Sequence, residues 1–268
     1  MREALVQLLT QAGARLLNED GYAVTAKPGH ANYVTDADRH TQAFLRERLE
    51  ALCPGSRFIG EEQANEPLTD APTWVVDPID GTTNFIHGYR CSAISAALLV
   101  NRKPALGCVY QPYTREAFSA EAGGGAFLNG EPIHVSQYPL EKALVGFGTS
   151  PYNPELFHPT LDAARRLLER AADLRRCGSA ALDLCYVASG RQDAFFELIL
   201  RPWDVAAGAL LVTEAGGAFE MPLLERVDFN RSSTILAANA ACADGFRRAL
   251  MDALAESGVD RAFIERFE

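Results

Sequence analysis

The chain has 268 residues, of which 48% are hydrophobic and 22% charged, a balance that supports a globular fold with a sizeable core. Its 35 acidic and 25 basic side chains give a net charge of −10, which argues against broad binding to nucleic acid or to anionic membranes. An anionic substrate stays open, because bound divalent cations reverse the local sign of the charge.

The six cysteines are scattered along the chain without a CxxC pair, so no metal finger is expected. We predict reduced, mostly buried thiols in a cytoplasmic protein. The N-terminus lacks the apolar run of a signal peptide. The longest apolar stretch, residues 93–100, is far too short to cross a bilayer.

The first half of the chain predicts two helices followed by a meander of strands. Apolar spacing indicates a helix over residues 2–18, with Gly21 as its cap, and a second from Asp36 to the Pro54-Gly55 pair. The predicted strands are 57–60, 73–76, 93–100, 105–110 and 117–120, and a hairpin turn is indicated at Asn129-Gly130.

Helices and strands alternate in the second half. The predicted strands are 143–147, 174–176, 193–198 and 234–238, and the predicted helices are 158–172, 179–188, 205–215 and 244–255. We therefore expect one domain over residues 1–268, with an α+β half at about 1–140 and an α/β half at about 141–268.

The most informative segment is residues 74–85, where an apolar strand is followed by Asp77 and Asp80. In isolation such a segment is more often a turn. Two carboxylates in one cleft repel each other unless a cation neutralises them, and their hard oxygens suit Mg²⁺. The Gly81-Thr82-Thr83 turn that follows offers backbone N–H groups and hydroxyls to phosphate oxygens.

Acids recur at comparable positions elsewhere. Glu61 and Glu62 follow the strand at 57–60, and Asp204 precedes an almost uncharged helix, where it fits the N-cap. Asp36 is the predicted cap of the second helix, with Asp38 in its first turn. Each position has an ordinary structural explanation, but their joint occurrence predicts a shared metal site.

These motifs closely resemble the inositol monophosphatase family. Residues 74–85 satisfy its first signature, W-[IV]-[IV]-D-P-[IL]-D-G-T-[TS]-N-F, at every position. Residues 203–217 satisfy the second, W-D-x-A-A-G-x-x-[IL]-[IV]-x-E-A-G-G. Shorter matches are G-E-E at 60–62, V-T-x-x-D at 34–38 and G-[ST]-A-A at 178–181. The resemblance implies an α+β and α/β fold, a layered αβαβα sandwich of the sugar-phosphatase type.

The resemblance also implies a role for each matching position. Ligands of two or three Mg²⁺ ions would be Glu61, Asp77, the carbonyl of Ile79, Asp80 and Asp204. Thr82 and Asp38 would orient and deprotonate the attacking water, with Glu62 in support. Phosphate and substrate would contact Lys27, Gly81, Thr82, Gly178, Ser179, Ala180 and Glu197.

The implied activity is hydrolysis of a small phosphorylated metabolite, with inositol 1-phosphate as the first choice. Histidinol phosphate, fructose 1,6-bisphosphate and 3′-phosphoadenosine 5′-phosphate are alternatives handled by relatives, and a catalytically idle regulatory protein is another. Lithium sensitivity and a homodimer are further family traits. The chain departs from the family pattern at residues 88–92 and 218–222, which puts that loop and the C-terminal sheet in doubt.

Overall fold

Two large β-sheets, a small two-stranded sheet and the surrounding helices form the described part of the chain. The computed structural model describes residues 1–18 and 21–267. The helices are α1 (Arg2–Leu17), α2 (Asp36–Leu52), α3 (Thr82–Ile86), α4 (Phe157–Leu168), α5 (Ala180–Ala188), α6 (Pro202–Glu214), α7 (Ala243–Glu256) and α8 (Arg261–Glu265). Among these described residues, no helix is long and apolar enough to cross a membrane.

The first sheet has seven strands whose spatial order follows the chain. They are β3 (Arg57–Gly60), β4 (Thr73–Asp80), β5 (Ala93–Val100), β6 (Lys103–Gln111), β7 (Glu116–Glu121), β8 (Gly125–Leu128) and β9 (Glu131–Ile133). Only the β3–β4 pair among them is parallel, so the rest is the predicted meander. A small antiparallel pair, β1 (Val24–Ala26) and β2 (Tyr33–Thr35), precedes α2.

The second sheet has five strands in the order β11-β10-β12-β14-β13. These are β10 (Leu144–Phe147), β11 (Asp173–Arg175), β12 (Ala194–Leu200), β13 (Ala218–Glu220) and β14 (Ser233–Ala238). Strand β10 runs parallel to both neighbours, and β14 is antiparallel to both of its own. The atypical segment 218–222 thus begins with a strand of this sheet, and its unusual sequence does not remove the strand.

Side-chain alternation along the strands assigns each sheet face to a helical layer. Trp74 packs with α1 and α2, whereas Val75 packs with α5 and α6. In the second sheet Phe195 faces α5 and α6, and Phe196 faces α4 and α7. The order of layers is therefore helix, sheet, helix, sheet, helix, which confirms the predicted αβαβα sandwich.

The central layer explains the small residues of the second signature. A Cβ on Gly208 would lie 2.5 Å from Leu184 Cδ1, so glycine lets α6 approach α5 closely. Ala207 faces Gly107 of β6, and a Cβ added to Gly107 would lie 3.2 Å from the Cα of Ala207. The A-A-G run is thus a packing requirement, and it holds Asp204 at the start of α6 in a fixed position.

Several predicted boundaries differ from the structure. Helix α1 ends at Leu17 with Asn18 as its C-cap, so the expected cap at Gly21 was wrong. The predicted helix at 158–172 is α4 at 157–168, and the one at 205–215 starts three residues earlier. Strands β1, β2 and β13 and helices α3 and α8 were not predicted, because segments of three to five residues carry too little periodic signal.

Candidate active site

A cleft of about 530 Å³ lies where the two sheets and the central helices meet. Twelve of the residues singled out from the sequence line it: Lys27, Glu61, Asp77, Ile79, Asp80, Gly81, Thr82, Gly178, Ser179, Ala180, Glu197 and Asp204. The remaining two, Asp38 and Glu62, lie directly behind the lining and hydrogen-bond to Thr82 and Lys27. The structure thus brings the whole predicted set into one place.

A β-bulge in β4 turns both acids of the first signature into this cleft. In a regular strand Asp77 and Asp80 would point to opposite faces, because they are an odd number of residues apart. Asp77 pairs with Ser95 and Asp80 with Ala93, so β4 carries one more residue than β5 between these pairs. Pro78 falls in the extra stretch, where its missing N–H costs no regular ladder bond.

Asp204 completes a group of three carboxylates. One carboxylate oxygen from each of Asp77, Asp80 and Asp204 lies within 4.8 Å of the other two. Asp204 is the third residue of α6 and accepts a 2.7 Å hydrogen bond from the N–H of Arg201, which is the N-cap. The N-cap assignment for Asp204 was therefore wrong by three positions, although its carboxylate still satisfies a backbone donor at this helix terminus.

Burial and mutual repulsion disfavour the ionised form of these acids. Burial raises the pKa of Asp77 well above its usual range, and the charges of Glu61 and Asp80 raise it further. The same causes raise the pKa of Asp204, with Asp80 as the largest neighbouring charge. Burial raises the pKa of Asp80 to about 6, opposed by hydrogen bonds from Ser179 and Ala181. An ion placed among the three would remove the repulsion.

Lys27 forms ion pairs with two further acids beside the cluster. Its Nζ lies 3.1 Å from Glu61 Oε1 and also hydrogen-bonds to Glu62 Oε1. Burial lowers the pKa of Lys27, but the charges of Glu61 and Glu62 outweigh this and the net shift is upward. Lys27 therefore stays protonated, and it offers a positive charge to the cleft.

Asp38 and Thr82 come together from two separate helices. Thr82 Oγ1 lies 3.3 Å from Asp38 Oδ1 and 3.0 Å from the carbonyl oxygen of Ile79. The other carboxylate oxygen of Asp38 accepts hydrogen bonds from the N–H and hydroxyl of Thr35, at 2.7 and 2.6 Å. Thr35 is the N-cap of α2, so the assignment of Asp36 as its cap was wrong.

Gly81 shapes the turn between β4 and α3. Its φ of 88° lies in the left-handed region, where a side chain would be strained. A Cβ there would also lie 3.1 Å from the carbonyl oxygens of Cys91 and Gly178. The turn leaves the first amides of α3 outside the helix's own hydrogen-bond pattern, beside the three carboxylates.

The predicted substrate segment is joined to the acid cluster. Ser179 is the N-cap of α5, and its hydroxyl donates a hydrogen bond to Asp80 Oδ2. The Ala181 N–H donates to the same oxygen at 2.8 Å. Residues 178–180 and the acids of the first signature are therefore positioned by one set of hydrogen bonds.

Glu197 also lines the cleft, at an irregularity between β12 and β14. Its Oε1 accepts hydrogen bonds from the Ser150 N–H at 2.8 Å and from the Ser150 hydroxyl at 3.2 Å. Burial raises the pKa of Glu197 to about 7. The second carboxylate oxygen remains available to a hydroxyl group in the cleft.

Several lining residues had no role assigned from the sequence, among them Asn84, Tyr152, Arg176 and Asp183. Asp183 is a buried acid with a pKa raised to about 7 by burial, and Gln192 donates a 2.9 Å hydrogen bond to it. A single acid in the otherwise apolar helix α5 was the sequence signal for it. Tyr152 and Arg176 lie in loops without any periodic pattern, so only the fold places them at the site.

The donor set fits Mg²⁺. All the cluster's side-chain groups are carboxylates, and the nearby backbone carbonyl of Ile79 adds a further oxygen. Hard oxygen donors of this kind are what Mg²⁺ takes from proteins, usually through a few carboxylates and retained waters. Zinc and copper match this donor set less well, because they favour cysteine or histidine ligands and neither residue belongs to the group of Asp77, Asp80 and Asp204.

Comparisons with known proteins bear on the family and on the fold. The family model described as the inositol monophosphatase family matches residues 1–257. Inositol monophosphatase 3 of Solanum lycopersicum is 43% identical over 229 residues, covering 83% of this chain and 85% of that protein. The Nus factor SuhB of Xylella fastidiosa is 37% identical over 241 residues, covering 87% and 85%.

The solved structures give the same result. The Thermotoga maritima IMPase superposes with a TM-score of 0.85 at 32% identity, covering 95% of this chain and 98% of the other. Fold and relatives together define a phosphomonoester hydrolase. The chain belongs to the inositol monophosphatase family, as its two signatures predicted.

Proposed function

We propose that the protein is a Mg²⁺-dependent phosphatase that releases inorganic phosphate from inositol 1-phosphate by attack of water. The observation that carries this proposal is the convergence of Asp77, Asp80 and Asp204 beside the Asp38–Thr82 pair. Glu61 and Ile79 also line the cleft, and the Glu61 carboxylate and the Ile79 carbonyl would supply further oxygens to two or three ions.

When bound, Mg²⁺ would lower the pKa of a coordinated water and offset the negative charge of the phosphate. Thr82 would hold the attacking water and pass its proton to Asp38, whose pKa burial raises to about 7, suited to accepting a proton near neutrality. Glu62 would help to position Glu61 through Lys27, which forms ion pairs with both glutamates.

The phosphate would sit over the Gly81 turn, where the first amides of α3 donate to its oxygens. Gly178, Ser179 and Ala180 would line the polyol ring, and Glu197 would accept hydrogen bonds from its hydroxyls. This arrangement favours a polyhydroxylated alcohol as the leaving group, which is the reason for preferring inositol 1-phosphate.

Other phosphorylated metabolites use the same metal core in related enzymes, so substrate preference needs its own test. A panel of inositol 1-phosphate, histidinol phosphate, fructose 1,6-bisphosphate and 3′-phosphoadenosine 5′-phosphate should be compared by kcat/KM. The highest value for inositol 1-phosphate is expected. If kcat/KM were roughly tenfold or more higher for another member of the panel, that compound would be the assigned substrate, and the reaction class would be unchanged.

The proposed chemistry needs no phosphorylated enzyme. Phosphate release should require Mg²⁺ and should show no burst of labelled phosphate on the protein. A phosphoenzyme, or full activity in the presence of a strong chelator, would contradict the proposal. Lithium inhibition, a homodimer and a cytoplasmic location are further expectations from the family, to be checked by inhibition, light scattering and fractionation.

A regulatory protein without catalysis is the second candidate, favoured by the relatives named Nus factor SuhB. Retention of all five acidic positions, Glu61, Asp77, Asp80, Asp204 and Asp38, speaks for catalysis instead. The Mg²⁺-dependent release assay separates the two, because an idle protein would give no phosphate from any member of the panel.

A further inference from the structure

Two of the six thiols meet at the rim of the active site. Cys91 lies within the atypical loop after α3, and Cys177 immediately precedes Gly178 of the substrate segment. The two thiols are close enough for each to shift the pKa of the other, and Cys177 Sγ donates a hydrogen bond to Asp183 Oδ2 at 3.0 Å. Both cysteines are free and half-buried, whereas Cys108, Cys185 and Cys242 are fully buried.

The backbones on either side of the thiols are held together independently. Asn84 Nδ2 donates to the carbonyl oxygen of Cys91 at 2.7 Å and to that of Cys177 at 2.9 Å. One amide nitrogen that reaches both carbonyls keeps the two chains at the spacing of direct neighbours. Disulfide formation requires that the two residues be close in space, and the shared contact with Asn84 meets this requirement.

We propose that Cys91 and Cys177 are a disulfide-forming pair that oxidation closes and that lowers turnover at the adjoining site. With hydrogen peroxide as oxidant, the two thiols would lose two electrons and two protons, and the peroxide would become two molecules of water. With a low-molecular-weight disulfide, exchange through a mixed disulfide would give the same bond and release two small thiols.

The surroundings assign the order of attack. The hydrogen bond with Cys177 lowers the pKa of Cys91, so Cys91 is the thiol that attacks the oxidant. The contact with Cys91, together with burial, raises the pKa of Cys177 well above its usual range. Cys177 would therefore remain protonated until it resolves the oxidised Cys91 and completes the disulfide.

Closing the bond would disturb the site through Ser179. A disulfide takes the Cys177 sulfur away from Asp183 and from the carbonyl of Ser179, which lies 3.2 Å from it. Ser179 also donates to Asp80, so a shift of this segment moves a proposed metal ligand and the substrate wall together. Displacements of about 1 Å in such a site cost on the order of a hundredfold in rate.

The test begins with a measurement that needs no substrate. The full-length protein is treated with hydrogen peroxide or glutathione disulfide, digested without reduction and analysed by mass spectrometry. A peptide pair joined through Cys91 and Cys177, which disappears after dithiothreitol, is the expected result. Oxidation that leaves these two thiols unlinked while others react would overturn the proposal.

The effect on turnover rests on the proposed phosphatase function and is measured second. Oxidation of the wild type should lower phosphate release roughly tenfold or more, and dithiothreitol should restore it. Cys91→Ser should keep its activity under the same oxidant, while Cys53→Ser, which alters a half-buried thiol at the end of α2, should respond as the wild type does.

The outcomes separate the two proposals. Absence of activity in the reduced wild type would count against the phosphatase function and leave the peptide result standing. A mapped disulfide with unchanged turnover, or a Cys91→Ser protein as sensitive as the wild type, would overturn the claim that this pair controls the site. Circular dichroism of each variant before oxidation verifies that it is folded.

Discussion

Thr82 Oγ1 lies 3.3 Å from Asp38 Oδ1, which joins the first residue of α3 to the first turn of α2 across the floor of the cleft. The same carboxylate caps α2 through Thr35. Asp38 therefore has a structural role at one oxygen and a proposed proton-accepting role at the other. Variants of the two partners should separate these roles.

Thr82→Val should lower kcat by roughly a hundredfold, because it removes the hydroxyl that would hold the attacking water. Thr82→Ser should restore most of the activity. Asp38→Ala should lose activity and also about 1 kcal/mol of stability, because the carboxylate that accepts the Thr35 N–H in the α2 capping box is removed. Steady-state kinetics and urea unfolding measure the two effects.

The Asp38 and Thr82 effects should also be strongly non-additive. If the two groups act as a unit, the double variant Asp38→Asn with Thr82→Val should be no slower than the slower single variant. Multiplied losses in kcat would show that the two side chains act independently, and the proposed proton path would then be wrong.

Asp77→Asn should have opposite effects on stability with and without Mg²⁺. The amide keeps the 3.0 Å hydrogen bond from the Ile79 N–H and removes a charge that repels Glu61, Asp80 and Asp204. In a chelator the variant should therefore melt at a higher temperature than the wild type. Added Mg²⁺ should raise the melting temperature of the variant only slightly. Its turnover should fall by on the order of a hundredfold or more.

Calorimetry with and without Mg²⁺ tests this expectation. Asp70→Asn changes an acid on the surface, with its side chain 74% exposed, and should behave as the wild type in both conditions. If Asp77→Asn retained wild-type turnover at saturating Mg²⁺, the assignment of the metal ligands would fail.

The metal-free protein should become less stable as the pH rises from about 4 to about 7. Asp38, Asp80 and Glu197 have folded-state pKa values of about 7, 6 and 7, above their unfolded values near 4. The folded state therefore binds more protons in this range, and the stabilising contribution present below pH 4 is lost as these groups ionise.

Bound Mg²⁺ should flatten this pH dependence, because a cation favours the ionised carboxylates. Thermal unfolding between pH 5 and pH 8, in chelator and in Mg²⁺, measures the difference. A metal-free melting temperature that rises steadily with pH over this interval would show that the acids are not destabilised by burial as described.

Glu197→Gln should raise KM for a polyol phosphate roughly tenfold and leave kcat nearly unchanged. Gln keeps an acceptor for the Ser150 N–H, so the fold at this end of the cleft is preserved. The loss is confined to the charged acceptor that faces the substrate hydroxyls.

A phosphate ester without hydroxyl groups provides the control for Glu197→Gln. Its KM should be unaffected by the substitution, because it makes no contact with residue 197. If kcat/KM fell equally for both substrates, or if only kcat fell, Glu197 would act in the chemical step instead of in substrate binding.

Much of the site was predictable because short motifs carry it. Asp77, Asp80 and Gly81 lie within five residues, and local backbone chemistry explains why acids and glycine occur there. The sequence did not reveal the bulge in β4 that lets both acids face one cleft, since a bulge is a property of two paired strands. It also misplaced Asp204 on its helix, because Arg201 was not recognised as the cap.

The periodicity of apolar residues determined by itself which segments became the long helices and strands, and the two signatures determined the family. Only the tertiary structure decided which side chains meet: Cys91 with Cys177, Asp183 with Gln192, Ser150 with Glu197. Local sequence sets backbone preference and side-chain alternation, but contacts between distant segments depend on how layers pack, and that packing is a property of the whole chain.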